Sequence, residues 1–341
     1  MNKERMLTGD RVTGKLHLGH YAGSLKNRIT LQDQYDSYVF LADVQALTTH
    51  FDQPEIIRSH IRGITLDYLA AGIDPQKTTI YIQSMIPEIA ELTVFFSMFV
   101  TVNLLRHNPT VKAESKSSSF NEMYYGFLGY PVSQAADITF CKATVVPVGE
   151  DQLPHLELTR KIVRRFNELY KPVFTEPRAL LSEIPRLIGT DGNAKMSKSL
   201  GNAIALDSSS DEVTRILKRA VTDPARLHKN DPGHPEICPI FAYHQAFLPL
   251  ESADIRENCE RGSIGCAACK ERITAGLELL FAPMRERRAY YTARPKLVDE
   301  ILVSGTEHTR SIARETMREV REAMSLNYFE IPLKPDLEGE N

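Results

Sequence analysis

The chain has 341 residues, 41 of them Lys or Arg and 44 Asp or Glu, for a formal net charge of −3. Hydrophobic residues make up 42% and charged residues 25%, which excludes a disordered or fibrous chain and allows a sizeable core in about two domains. The near balance of charge excludes a global basic field, so any nucleic-acid contact must come from a local patch.

The chain opens Met-Asn-Lys-Glu-Arg and leads into only a short apolar stretch, so no signal peptide is expected. Arg5–Thr8 reads as a strand, and residues 9–14 as a glycine-punctuated turn. A helix follows from about His17 to Gln32. Further strands are expected at Ser37–Ala42, Thr78–Gln83 and Ala143–Val148, with a helix from about Gln152 to Tyr170. This alternation predicts an α/β fold: a Rossmann-like parallel sheet covered by helices. The most apolar segment, Leu92–Leu105, is too short to span a bilayer and contains Asn103, so it reads as a buried or subunit-contacting helix of a cytoplasmic chain. Ser115–Asn121 reads as a loop, either a lid or plain surface.

Beyond residue 200 the periodicity turns helical. Ser209 and Glu212 form a capping box before Val213–Ala220, and Ile273–Phe281 and Ser311–Leu326 continue the pattern. The expected division is a catalytic domain over 1–200, a helical domain over 201–335 and an acidic tail over 336–341. Candidate basic patches are Arg160, Lys161, Arg164 and Arg165, then Lys218 and Arg219, then Arg285, Arg287 and Arg288, each alone reading as a solvated helix face.

Two short strings carry chemistry. Lys195-Met196-Ser197-Lys198-Ser199 is a compact cationic loop with small hydroxyl residues, suited to holding and releasing a polyphosphate. His17-Leu18-Gly19-His20 stands at the start of the first helix after the first strand. In a parallel sheet that is where ligands bind, and a helix N-terminus favours an anion. The histidines, three apart, share a face and read as phosphate and ribose contacts. Gly9-Asp-Arg-Val-Thr-Gly14-Lys15-Leu16 nearly matches a P-loop, but Leu16 stands where Ser or Thr must ligate magnesium. Four of the five cysteines, Cys238, Cys259, Cys266 and Cys269, fall close together in sequence. In a cytoplasmic chain they suit tetrahedral zinc, a four-iron cluster, or no metal at all. Cys141 follows an apolar helical stretch and reads as a core thiol.

The paired strings resemble the nucleotide-binding signatures of class I aminoacyl-tRNA synthetases. The segments from Tyr130 to Asp137 (Tyr-Pro-Val-Ser-Gln-Ala-Ala-Asp) and Val146 to His155 (Val-Pro-Val-Gly-Glu-Asp-Gln-Leu-Pro-His), with Arg11-Val12-Thr13-Gly14, resemble the tryptophanyl-tRNA synthetases over nearly the whole chain. The resemblance implies activation of L-tryptophan by ATP with Mg²⁺, transfer to tRNA(Trp), and a homodimer. It implies that Asp137 accepts the indole N–H and that Tyr130 and Gln152 hold the amino-acid amine. Leu7, Gly9, Gln45, Gln134, Val146 and Val148 then shape the tryptophan pocket. Gly9, Arg11, Val12, Thr13, Gly19, His20, Gly149, Glu150, Asp151 and Leu187 line the ATP, with Lys195, Met196, Ser197, Lys198 and Ser199. The catalytic set is His17, His20, Lys112, Lys195 and Lys198. Gln45 and Gln134 stand where some members have His and Met. Some bacterial members carry a four-iron cluster with similar cysteine spacing, which implies one here, with zinc as the alternative. The competing readings are a tyrosyl-tRNA synthetase and a nucleotide- or RNA-binding paralogue without aminoacylation.

Overall fold

Five parallel strands form one sheet, β1 (Arg5–Arg11), β2 (Asp36–Ala42), β3 (Thr78–Ile82), β4 (Val145–Val148) and β5 (Arg178–Leu181), in the order β3-β2-β1-β4-β5. The computed structural model describes residues 3–117, 122–181, 187–192, 196–197 and 200–328. Lys195, Lys198, Ser199, part of the 115–121 loop and the acidic tail lie outside the described residues.

Burial explains the central strands. Ser37 through Ala42 in β2 are all buried, the continuous pattern of a parallel strand covered on both faces. β1 runs further than its glycine suggests: Gly9, Asp10 and Arg11 stay in register opposite Phe40, Leu41 and Ala42, so the expected turn begins only after Arg11.

The helices follow in chain order. α1 starts at Leu18–His20, widens to a π-turn over Tyr21–Leu25 and resumes over Lys26–Leu31. Next come α2 (Asp43–His50) and α3 (Pro54–Ala71), the latter with Pro at its start and left-handed Gly72 at its end. The Leu92–Leu105 segment is two helices, α4 (Glu88–Ser97) and α5 (Val102–Arg106). Thr101 Oγ1 accepts from Leu104 N and starts the second one afresh. Then come α6 (Pro109–Ser117), α7 (Tyr125–Phe140) and α8 (Leu153–Leu169).

The C-terminal region is helical: α9 (Ser210–Arg219), α10 (Pro239–Phe247), α11 (Ser252–Glu260), α12 (Cys266–Thr292) and α13 (Pro295–Ala323). Ser209 caps α9 by accepting from Glu212 N at 3.2 Å. Two of these helices pack back on the sheet region. Leu277, Phe281 and Met284 of α12 share a core with Ile64 and Tyr68 of α3, and Ala313, Met317 and Val320 of α13 join Tyr38, Phe40 and Tyr81. Arg287 Nε donates to Ala70 O at 2.7 Å, Arg288 reaches Asp67 at 2.5 Å, and Arg285 pairs with Glu278. These three arginines are therefore fastened within the fold, with Arg287 and Arg288 tying α12 to α3.

A buried triad ties the end of α1 and α3 to β1. Arg28 Nη1 donates to Asp10 Oδ2 at 2.6 Å, and the Tyr68 hydroxyl donates to the same oxygen at 2.8 Å. Burial alone would raise the Asp10 carboxyl, but Arg28, with His20 and Tyr68, outweighs it and holds the group at about 2. Asp10→Ala leaves Arg28 buried without its counter-ion and is expected to cost about 3–5 kcal/mol of unfolding free energy. The native value lies below the unfolded 3.8, so this contribution is fully present above 3.8 and is lost as pH falls through about 2. Urea unfolding of wild type and variant at neutral pH checks the size, and convergence of the two in acid checks the sign.

Candidate active site

The chain leaves β1 towards β2 and β3 on one side, then returns to place β4 on the other. The β1–β4 pair is thus the topological switch point, where an open α/β sheet has its ligand crevice at the carboxyl ends of the strands. The loop from Val12 to Leu16, the start of α1 and the Gly149–Asp151 segment all follow these two strand ends.

His17 is the N-cap of α1, with extended backbone, and is buried. Gly19 N donates to His17 Nδ1 at 3.1 Å, and His17 N donates to His20 Nδ1 at 3.2 Å. The two rings lie 3.9 Å apart between centroids. A Cβ on Gly19 would fall 2.9 Å from the His17 ring, so glycine is needed for the ring to fold over the helix start. The same Cβ would lie 3.5 Å from Met196 Cβ. The two signature strings, some 180 residues apart, therefore touch.

Backbone pairing holds them there. Leu18 N donates to Ile204 O and Leu206 N donates to Leu16 O, both at 2.9 Å. Leu16 is buried in the core and its N–H donates to Asp67, an arrangement unlike a P-loop. Met196, 1% exposed, donates its N–H to Leu187 O at 3.2 Å, and Ser197 N donates to Asn202 Oδ1 at 2.7 Å. Asn202 Nδ2 in turn donates to Asp191 at 3.0 Å. Asn202 has no place in the expected site, although it sits three residues past the lysine loop.

The second half of the site rides on α7. Tyr130, Gln134 and Asp137 recur at helical spacing and share one face. Asp137 is fully buried, which excludes a surface carboxylate, and its small neighbours Ala135 and Ala136 are buried too. Gln83 Nε2 donates to both of its oxygens, at 2.9 and 2.8 Å, and Gln45 Nε2 donates to Oδ2 at 2.8 Å. Burial pushes the carboxyl up to about 8 against the lowering effect of these amides. Leu7 and Val146 are buried beneath on β1 and β4, Val148 is half-buried, and Gln152 leads into α8.

Tyr130 belongs to a polar cluster that sequence reasoning missed. Asn108 Oδ1 accepts from Thr110 N and Val111 N, so its amide nitrogen faces His155 Nδ1 at 3.4 Å. Nδ1 then accepts, and Nε2–H donates to the Tyr130 hydroxyl at 2.8 Å. Burial lowers the imidazole to about 4, which keeps it neutral and suited to this role. Arg11 lies over the Tyr130 ring, 5.2 Å from its centroid, and pairs with Glu114 at 3.0 Å. His155 closed one of the strings that mark the site, and Asn108 and Glu114 flank exposed Lys112 on α6.

The four clustered cysteines line one small cavity of about 20 Å³ together with Arg226. Arg226 Nη1 donates to Cys259 Sγ at 3.7 Å and to Cys266 Sγ at 3.8 Å, while its buried Nε has no hydrogen-bond partner among the described residues. His244 Nε2 lies 3.4 Å from Cys269 Sγ. A Cβ on Gly233 would fall 2.6 Å from Cys259 Sγ. Among the described residues, no group of three or more His, Cys, Asp or Glu side chains is drawn up as a finished metal site. Burial and the three other thiols push Cys269 up to about 12, a repulsion that a bound cation would reverse. The donor set, the aimed guanidinium and the tight glycine all fit an anionic thiolate cluster. Cys141 lies apart, fully buried at the end of α7, and burial raises it to about 12.

Of the remaining basic candidates, Arg160 donates to Pro177 O and pairs with Glu157, Arg164 pairs with Glu176 and Arg165 with Glu168, while Lys161, Lys218 and Arg219 are exposed. An apolar groove of about 660 Å³ passes between α2, α4 and α7; Gln45, Gln83 and Tyr130 line it, together with the exposed Val44, Phe51, Val102 and Tyr124. Among the described residues, no helix is long and apolar enough to cross a membrane.

The sequence profile of the class I tRNA synthetases (W and Y) matches residues 1–282. The tryptophan–tRNA ligase of Thermotoga maritima is 46% identical over 328 residues, covering 95% of this chain and 100% of that one. That of Clostridium longisporum is 47% identical, covering 96% and 99%. The crystal structure of the Campylobacter jejuni tryptophanyl-tRNA synthetase, complexed with ADP and tryptophan, superposes with a TM-score of 0.81 at 31% identity, covering 94% of this chain and 99% of that one.

Proposed function

The chain belongs to the class I tRNA synthetases for tryptophan and tyrosine, and from that premise we infer that it is a tryptophan–tRNA ligase. One observation carries the reading: Met196 of the lysine string lies against Gly19 at the start of α1, and Asp137, the carboxylate of the α7 face, is buried. Charging of a tRNA(Trp) transcript with labelled tryptophan tests it; no charging at saturating ATP and tryptophan overturns it.

The reaction follows from the residues. The tryptophan carboxylate attacks the α-phosphate of ATP, forming tryptophanyl-adenylate as pyrophosphate leaves. A ribose hydroxyl at the tRNA 3′ end then attacks the adenylate carbonyl and releases AMP. The attacking carboxylate is already ionised, so the first step needs no protein nucleophile. Catalysis is alignment and stabilisation of charge on the leaving pyrophosphate. Lys195 and Lys198 supply that charge, with Lys112 and the His17 and His20 turn. Mg²⁺ bound with the ATP would neutralise its phosphates. Arg11, Val12, Thr13, Gly149, Glu150, Asp151 and Leu187 hold the nucleotide. Asp137 accepts the indole N–H, Tyr130 and Gln152 hold the amine, and Leu7, Gly9, Gln134, Val146 and Val148 shape the pocket. ATP and tRNA put the enzyme at work in the cytoplasm.

Cys238, Cys259, Cys266 and Cys269 would hold a four-iron cluster, which when bound would supply a rigid structural anchor in the helical region. Zinc is the alternative with the same donors. Arg226 offsets the thiolate charge. Cys266→Ser with Cys269→Ser is expected to abolish iron binding in anaerobically purified protein while leaving tryptophan-dependent pyrophosphate exchange within a few-fold of wild type. Metal analysis and exchange assays check both halves; iron retained at wild-type level contradicts the ligand set.

A second copy of the chain packs on the exposed apolar side chains around the groove on α2, α4 and α7, and leaves Gln45, Gln83 and Tyr130 within it to the amino acid. Its support is the exposure of Val44, Phe51, Val102 and Tyr124 around the groove, a hydrophobic surface of the kind that marks an interface. A solution mass of two chains by light scattering is the expected result, and a monomer at micromolar concentration contradicts it.

A further inference from the structure

Two glutamines enclose the Asp137 carboxylate from outside its own helix. Gln83 is the first residue past β3, in a short 3₁₀ turn, and is 2% exposed; Gln45 lies on α2 and is 7% exposed. The backbone N–H of Gln45 donates to Gln83 Oε1 at 3.2 Å. That bond decides which end of the Gln83 amide faces Asp137: the oxygen must meet the N–H donor, so the NH₂ group must meet the carboxylate. Gln83 Nε2 then bridges Oδ1 and Oδ2, and Gln45 Nε2 adds a further bond to Oδ2.

We propose that Gln83, backed by Gln45, is a specificity-positioning residue: it holds the Asp137 side chain as a fixed acceptor with one lone-pair direction on Oδ1 left for a donor on the substrate. The proposal deepens the function given above and rests on Asp137 being the indole acceptor. An ionised carboxylate offers about four acceptor positions, and the two amides occupy three of them. Without those donors the ionised form would be reached only at still higher pH. A neutral carboxyl can donate as well as accept, and a pocket that donates no longer rejects a ring carrying an acceptor where indole carries N–H. The other titratable groups acting on Asp137 are Asp43 at the start of α2, Tyr81 on β3 and Cys141 at the end of α7. Each is anionic or neutral, so the amides are what favours the ionised form.

The test uses Gln83→Met, which keeps length and volume and removes both donors. Amino-acid-dependent pyrophosphate exchange is followed against pH with tryptophan and with its benzofuran analogue, in which oxygen replaces the indole N–H. The expected result is a rise of roughly tenfold in the KM for tryptophan at neutral pH with kcat and the KM for ATP little changed. The pH midpoint of the tryptophan KM should move to higher pH, and preference for tryptophan over the benzofuran analogue should shrink. A KM that rises with the midpoint in place shows that Gln83 only packs, and overturns the proposal, as does an unchanged KM. Gln45→Met, which removes one of the three bonds, should show the same changes in smaller degree and serves if Gln83→Met does not fold. Asp137→Asn in parallel separates the two readings. If it leaves the KM and the pH midpoint for tryptophan untouched, Asp137 is not the acceptor; if it changes them and Gln83→Met does not, only the role of Gln83 falls.

Discussion

Lys195→Ala is expected to lower kcat for tryptophan-dependent ATP–pyrophosphate exchange by about 10²–10³-fold, the usual cost of removing one preorganised donor to developing charge. The KM for tryptophan should change little. Lys195 itself is outside the described residues, but the next residue is fixed: Met196 is buried, bonded to Leu187 O and set against Gly19. Ser197 is held by Asn202. Met196 and Ser197 of the lysine string thus stand next to the start of α1, where the phosphates are proposed to lie. Negative charge on pyrophosphate grows as the bond to the α-phosphate breaks, so a lysine that matters there acts more on the transition state than on bound ATP. Steady-state exchange kinetics check this. A raised KM for ATP with unchanged kcat would mean that Lys195 only binds the ground state.

Asp137→Ala is expected to raise the KM for tryptophan by about 10–150-fold, from the roughly 1.5–3 kcal/mol of a hydrogen bond to a charged group. Discrimination against phenylalanine should fall with it, because a pocket that offers a buried acceptor rejects a ring with no donor. The pH dependence has a definite sign. Burial sets the carboxyl at about 8 in the free protein, so the ionised acceptor is the minor form at neutral pH and becomes the major one above about 8. The KM for tryptophan should therefore fall as pH rises towards that value, and the Ala variant should lose this dependence. The native value exceeds the unfolded 3.8, so the effect of this group on folding runs the other way. It is most favourable below 3.8 and is lost as pH rises through about 8. A pH-independent KM in the wild type would contradict the assignment.

The chemistry-bearing strings were legible because each is local in sequence. Their contact was not, since it depends on Leu18 N meeting Ile204 O across the fold. β2 and β3 were legible from their apolar runs over 38–42 and 80–82. β5, with Arg178 and Leu181 exposed at its ends, carries no such run. Gly9 and Asp10 looked like turn residues, yet the strand continues because Arg28 and Tyr68 satisfy Asp10 inside the fold. Leu92–Leu105 reads as one apolar helix unless Thr101 is recognised as a new N-cap. Gln83 was hardest to see: a glutamine at a strand end has no sequence signature, although the carboxyl end of a parallel strand is where such a residue acts. Arg226 likewise has no signal apart from the cysteines that it faces.

The central claim is that this site activates tryptophan. Amino-acid-dependent ATP–pyrophosphate exchange with the purified full chain, comparing tryptophan, tyrosine and phenylalanine at equal concentration, tests it most directly. The account predicts rapid exchange with tryptophan and little with the other two. Exchange supported better by tyrosine than by tryptophan, or no exchange with any of the three, would contradict it.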